Sequence, residues 1–208
     1  MNLIRILACM LLIVFSLPAL AKGSTVLKIE MSPALCDMEG FRKSLKSCVD
    51  GFSISVAGLS FNEAPRGRCS SQPVKLSPLQ TRIVGRVMPD VSSQDESWQL
   101  YGSCAGLSSK DYFRLITDMT AKLRLPKELS SGRSYLVDRN RFMQQFFQLN
   151  ANMPKGAVEL SCRKHPTSGT SVLTELQVCY DSASRFAACP VVTAQKCPES
   201  FQVRGLGR

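Results

Sequence analysis

Apolar residues along the chain recur with two different periods, and the switches between them outline the elements. Val26-Leu27-Lys28-Ile29-Glu30-Met31 alternates apolar with polar side chains, the pattern of a half-buried strand. Phe52-Ser53-Ile54-Ser55-Val56 predicts a second strand, and Gly58, Pro65 and Gly67 then predict an irregular loop reaching Cys69. Over 77–88 the period becomes helical. Ser77 offers an N-cap, Pro78 a first turn, and Leu79, Ile83, Val84 and Val87 a stripe expected to be buried before Pro89 ends the helix. A second helix is expected over 108–124, with Asp111 near its start and Tyr112, Leu115, Ile116, Met119 and Leu123 on one face. A third over 138–150 is expected to bury Phe142, Phe146 and Leu149. Ala157 to Cys162 and Ser171 to Tyr180 return to strand-like alternation, joined by a turn from Pro166 to Gly169. Strands at both ends with helices between them predict an α+β domain around a largely antiparallel sheet flanked by helices. No repeat or linker divides residues 22–208, so one domain is expected there.

One apolar run stands outside this plan. Ile6 to Leu17 follows a lone Arg5 and is followed by Pro18 and Ala19-Leu20-Ala21, the grammar of a signal peptide over 1–21 with cleavage after Ala21. The run is too short to cross a bilayer comfortably, and nothing downstream is apolar for long enough. A secreted or periplasmic monomer with no membrane span is expected. Of nine cysteines, Cys9 leaves with the leader; the eight that remain read as a disulfide set in an exported chain. Zinc is disfavoured, since there is no CxxC pair and His165 is the only histidine. No metal and no cofactor are expected. The formal charge of +10 falls by one when Arg5 is removed, and it favours an anionic partner such as nucleic acid or a membrane surface. The basic residues are scattered, however, and plain solubility explains them nearly as well.

The stretch Glu96-Ser97-Trp98-Gln99-Leu100-Tyr101-Gly102-Ser103-Cys104 carries the most specific pattern. It resembles the second active-site segment of the ribonuclease T2 family, His-Glu-Trp-x-Lys-His-Gly-x-Cys. Trp98, Gly102 and Cys104 match that framework. Glu96 stands in the first His position, Ser97 in the Glu position, Leu100 in the Lys position and Tyr101 in the second His position. Ala57-Gly58-Leu59-Ser60-Phe61-Asn62 is similar to the family's first segment, His-Gly-Leu-Trp-Pro-Asn. Gly58, Leu59 and Asn62 match it, while Ala57 replaces the catalytic His. Ser32-Pro33-Ala34-Leu35-Cys36 and Leu125-Pro126 extend the resemblance, which runs from Val26 to about Val203. Spacing alone leaves the pairing of the eight cysteines open. The resemblance implies Cys36–Cys48, Cys69–Cys104, Cys162–Cys197 and Cys179–Cys189, with the second bridge tying the two segments together.

The family's chemistry needs a base for the 2′-hydroxyl proton, an acid for the leaving oxygen and a cation for the phosphorane. Ala57 serves neither proton task, Leu100 brings no charge, and the phenol of Tyr101 is poorly matched to such proton transfers. Glu96 could act as a base but has no evident acid partner, and His165 lies outside both segments, in an expected turn. Each lost acid or base costs about 10²–10⁴-fold in rate. Trp98 is expected to pack structurally. Phe61, Trp98 and Tyr101 are candidate cleft-lining residues, since an aromatic face stacks on any base. Three functions fit: a non-catalytic pseudoenzyme binding RNA, a nucleotide or another partner; a weakly active endoribonuclease; and a secreted inhibitor, decoy or host-interaction protein that keeps only the fold. The residues favour the first and third.

Overall fold

A computed structural model describes residues 24–65, 67–190 and 196–206. The leader expected over 1–21 lies outside the described residues. The first strand, β1 (Thr25–Glu30), runs into helix α1 (Ser32–Met38), which Pro33 opens at its first turn. A tight 3-10 turn over Gly40–Ser44 and the short helix α2 (Lys46–Val49) follow, and a disulfide from Cys36 to Cys48 joins them to α1. Strand β2 (Ser55–Phe61) starts three residues later than the alternation suggested and keeps Gly58 inside the strand rather than in a loop.

Helix α3 (Pro78–Val84) begins with a reciprocal cap between Ser77 and Gln80, as Ser-Pro predicts, and stops at Gly85. Helix α4 (Val91–Ser97) continues without a break into a π-helical turn over Trp98–Gly102. The long helix α5 (Ser109–Lys122) is capped by Ser108 Oγ, which accepts from Asp111 N at 3.1 Å. Strand β3 (Tyr135–Asp138) leads directly into helix α6 (Arg139–Leu149), whose first turn is capped by the Asp138 carboxylate. Strands β4 (Val158–Lys164), β5 (Ser171–Tyr180) and β6 (Ser200–Val203) complete the order.

One mixed sheet collects the strands. β1 lies between β2 and β5 and is antiparallel to both; β4 covers the other edge of β5, and β3 pairs with β6. The only parallel contact described, Val172 opposite Gln202, attaches the β3–β6 pair to β5. Leu27, Ile29, Leu173 and Leu176 meet Tyr112, Phe113 and Ile116 of α5 and Phe142 and Phe146 of α6 in one buried cluster. Phe142 stacks edge-on against Phe146 and Phe201, with centroids 5.5 and 5.7 Å apart. Each such side chain contributes about 1.5–3 kcal/mol by leaving water.

Three expected core positions are not core. Leu79 and Ile83 of α3 are 65% and 43% exposed, and Leu149 is 47% exposed. The reason for α3 is its position: it packs chiefly against α5, so Val84 alone of its stripe is fully buried. Leu149 is the last residue of α6, where the buried face has already passed on to Asn150; that side chain bonds Phe146 O and Arg124 N and O.

Candidate functional site

The β1–β2 register slips at one point. Lys28 faces Gly58 and Ile29 faces Val56, which leaves Ala57 as the extra residue of a β-bulge. Bulges bend a strand and re-aim its side chains, and they gather beside functional sites. Here the bulged residue presents only a methyl group.

The α4–π-turn segment packs over β2 through a chain of hydroxyls. Ser97 is 1% exposed, and its Oγ lies 2.5 Å from Tyr112 Oη. Tyr112 Oη accepts from Leu59 N at 3.0 Å and donates to Leu59 O at 3.1 Å. Because that phenol proton goes to Leu59 O, the Ser97 hydroxyl is the donor to Tyr112. Burial drives the Tyr112 phenol far above its ordinary value, with the Ser97 and Leu59 hydrogen bonds opposing only in part. Tyr112 is therefore a neutral structural hydroxyl. Close approach depends on two glycines. A Cβ on Gly58 would sit 2.5 Å from Ser97 Oγ and 3.2 Å from the Tyr101 ring. A Cβ on Gly102 would sit 2.6 Å from both the Trp98 and Tyr112 rings. Trp98 packs at 6.0 Å, centroid to centroid, on Tyr112.

Beside this support opens a cleft of about 390 Å³, lined by Lys28, Ser60, Phe61, Asn62, Leu100 and Tyr101 and, from the loop before Cys69, by Ala64, Pro65 and Gly67. The disulfide Cys69–Cys104 and the bond from Cys69 N to Gln99 O, 3.0 Å, fix that loop to the π-turn. Of the positions singled out in the sequence, Phe61, Leu100 and Tyr101 line the cleft. Ser97 lies buried under it, Trp98 packs on Tyr112, Ala57 occupies the bulge, and Glu96 is exposed and outside the lining.

Sequence reasoning missed Lys28. Its Nζ donates to Tyr101 Oη at 3.2 Å. Lys28 is a polar member of an alternating strand, and alternation alone does not tell a cleft-lining polar residue from a solvated one. The opposite residue, Gly58, has no side chain to fill the space, so the lysine reaches across it to the π-turn. Among the described residues no carboxylate forms an ion pair with Lys28.

His165 sits in the β4–β5 turn, as expected, but its ring is mostly covered. Nε2 lies 3.1 Å from Asp37 Oδ2, and Nδ1 lies 3.1 Å from Thr167 Oγ1. It takes no part in the cleft. Cys162–Cys197 and Cys179–Cys189 complete four disulfides. Among the described residues no group of three or more His, Cys, Asp and Glu side chains is placed to hold a metal ion, and no helix is long and apolar enough to cross a membrane.

Among the described residues the α+β core has a mixed sheet, six helices and four disulfides, and its fold matches that of solved T2 ribonucleases. RNase NT, in complex with 5′-AMP, superposes with a TM-score of 0.69 at 16% identity, covering 88% of this chain and 98% of that one. A variant of RNase MC1, an enzyme from bitter gourd seeds, in complex with 5′-GMP, matches with a TM-score of 0.63 at 20% identity over 86% and 98%. The Japanese pear S3-RNase matches with 0.64 at 18% over 87% and 98%. No family model matches the chain, and no curated protein sequence matches it significantly.

Proposed function

We propose that this is an exported protein of T2-ribonuclease fold that holds RNA or a nucleotide in its cleft and does not cleave it. The observation that carries the reading is the buried Ser97–Tyr112–Leu59 chain. At the position where the family's pattern has a glutamate, a hydroxyl is spent on holding two elements together. Around it stand a methyl group at 57, an exposed carboxylate at 96 and an apolar side chain at 100. No imidazole is within reach, since His165 is engaged with Asp37. Without a matched acid and base, each step of 2′-hydroxyl transesterification loses about 10²–10⁴-fold. What the cleft retains is shape and recognition chemistry: Phe61 and Tyr101 as aromatic faces, Lys28 as a cation. The solved complexes of RNase NT with 5′-AMP and of an RNase MC1 variant with 5′-GMP make mononucleotides the first ligands to try.

The test has two parts. Purified protein on an RNA zymogram is expected to give no clearing, while calorimetry with 5′-AMP or 5′-GMP is expected to show saturable binding. RNA cleavage that Glu96→Gln abolishes would overturn the reading, and so would the absence of binding to RNA and to both nucleotides. Four disulfides and a leader-like start support export; N-terminal sequencing of the secreted or periplasmic fraction is expected to begin at Lys22.

A further inference from the structure

From the Lys28–Tyr101 contact we infer that the cleft recognises a phosphate monoester through a cation carried by β1, and that its ligand is a single nucleoside monophosphate. This rests on the nucleotide-binding reading and names the group that would execute it.

The family's pattern puts its lysine on the helical segment, at the position of Leu100; here that side of the cleft is apolar. Lys28 enters from the opposite wall, on β1, one strand in from the β2 edge. A half-buried ammonium without a carboxylate partner costs free energy, and the Tyr101 ring, whose centroid lies 5.1 Å from Lys28 Nζ, offsets only part of that cost. Among the described residues the one hydrogen bond of Lys28 Nζ is to the Tyr101 hydroxyl. That bond uses one of the three Nζ protons and one lone pair of Tyr101 Oη. Two N–H groups and the phenolic O–H remain available. The two donor atoms stand 3.2 Å apart, a spacing that lets them reach two oxygens of one tetrahedral oxyanion.

Size and charge narrow the ligand further. A volume of about 390 Å³ is at the small end for a ligand pocket and suits one nucleotide rather than a run of RNA. A lone cation offsets part of the charge of a single phosphate monoester, about −1.5 to −2 at pH 7, and would be far outnumbered by the phosphates of an RNA strand. Phe61, with Leu100 and the Tyr101 ring, gives an apolar wall for the base. A free phosphate ion would satisfy Lys28 but leave that wall empty.

Calorimetry on the full mature protein with three probes, 5′-AMP, adenosine and inorganic phosphate, tests this. The wild type is expected to bind 5′-AMP about tenfold or more tightly than adenosine, as a charge-assisted hydrogen bond implies, and more tightly than inorganic phosphate. Lys28→Met is expected to remove that preference by weakening 5′-AMP far more than adenosine; Lys28→Arg should keep most of it, and Tyr101→Phe should lose part. A 5′-AMP to adenosine ratio near one in the wild type overturns the inference without any variant, so a poorly folded Lys28→Met would not shield it. Inorganic phosphate binding as well as 5′-AMP overturns the nucleoside assignment. If all nucleotides bind but Lys28→Met changes nothing, the phosphate assignment fails while nucleotide binding stands. If none of the three binds, this inference fails, and titration with RNA and 5′-GMP decides whether the broader binding reading fails with it.

Discussion

At the scale of single residues, the geometry around Ser97 limits what substitution can restore. The space beyond its Oγ is taken by Tyr112 Oη at 2.5 Å, and the residue is sealed from solvent. Ser97→Glu therefore buries a carboxylate without a cation and is expected to cost about 2–4 kcal/mol of stability. Urea denaturation should show that loss. Adding Ala57→His, Glu96→His, Leu100→Lys and Tyr101→His to it should still give no clearing on an RNA zymogram, and robust cleavage would show that the pocket had stayed open. Gly102→Ala is a cleaner probe of the same packing. Its new methyl meets two rings at 2.6 Å, and the overpacking is expected to cost about 2–3 kcal/mol. A Tm within 1–2 °C, or roughly that, of the wild type would contradict this. Residue identities were legible where they marked framework: Gly58, Trp98, Gly102 and Cys104 stand in close packing or a bridge. Lys28 was not legible, because a polar residue in an alternating strand carries no mark of which neighbour it meets.

At the scale of elements, the helices that hide apolar faces were readable and those that hide polar ones were not. α5 and α6 repeat large apolar residues at helical spacing, and they fold where that spacing put them. α4 buries Gln94 and Ser97 instead; Gln94 Nε2 donates to Met88 O at 2.7 Å, and the Asp90 carboxylate before the helix accepts from Ser47 N at 3.0 Å. No hydrophobic period could announce such a helix. α3 failed in the opposite sense, with an apolar stripe wider than the single neighbour that covers it. The part of the cleft wall at Ala64, Pro65 and Gly67 lies outside any helix or strand and is held by the Cys69–Cys104 bridge across a separation of 35 residues. Replacing both cysteines with serine is expected to cost about 3–4 kcal/mol through the freed unfolded chain. Limited proteolysis should then cut between 62 and 69 before any other site, and nucleotide affinity should fall. A chain that stays uncut there would show that the bridge is not what holds the wall.

At the scale of the whole molecule, ion pairs join the early and late parts of the chain. Asp37 of α1 bonds Arg204 and His165, while Glu39 bonds Arg42 and Arg163. The Arg204 hydrogen bond holds the Asp37 carboxyl below its ordinary 3.8, against partial burial. At Glu39 burial pushes upward, but Arg163 and Arg42 outweigh it and hold the group below 4.5. Depressed carboxyls stabilise the fold above their ordinary values, and that contribution disappears as the pH falls through the lower folded values. The Tm is therefore expected to drop as the pH falls below about 4, and Asp37→Asn with Glu39→Gln should make the drop shallower. An unchanged profile would assign acid sensitivity elsewhere. These pairs were invisible in the sequence, since nothing local connects residue 37 with 165 or 204. The position of β1 has a consequence for how the molecule comes into being. It is hydrogen-bonded along both edges, yet one of those edges is closed by β5, encoded in the last third of the chain. A chain delivered from its N-terminus must wait with β1 bare on that side. Until Ser171–Tyr180 arrives, the nascent protein offers an unpaired strand to any chaperone, or to any second chain, that reaches it first.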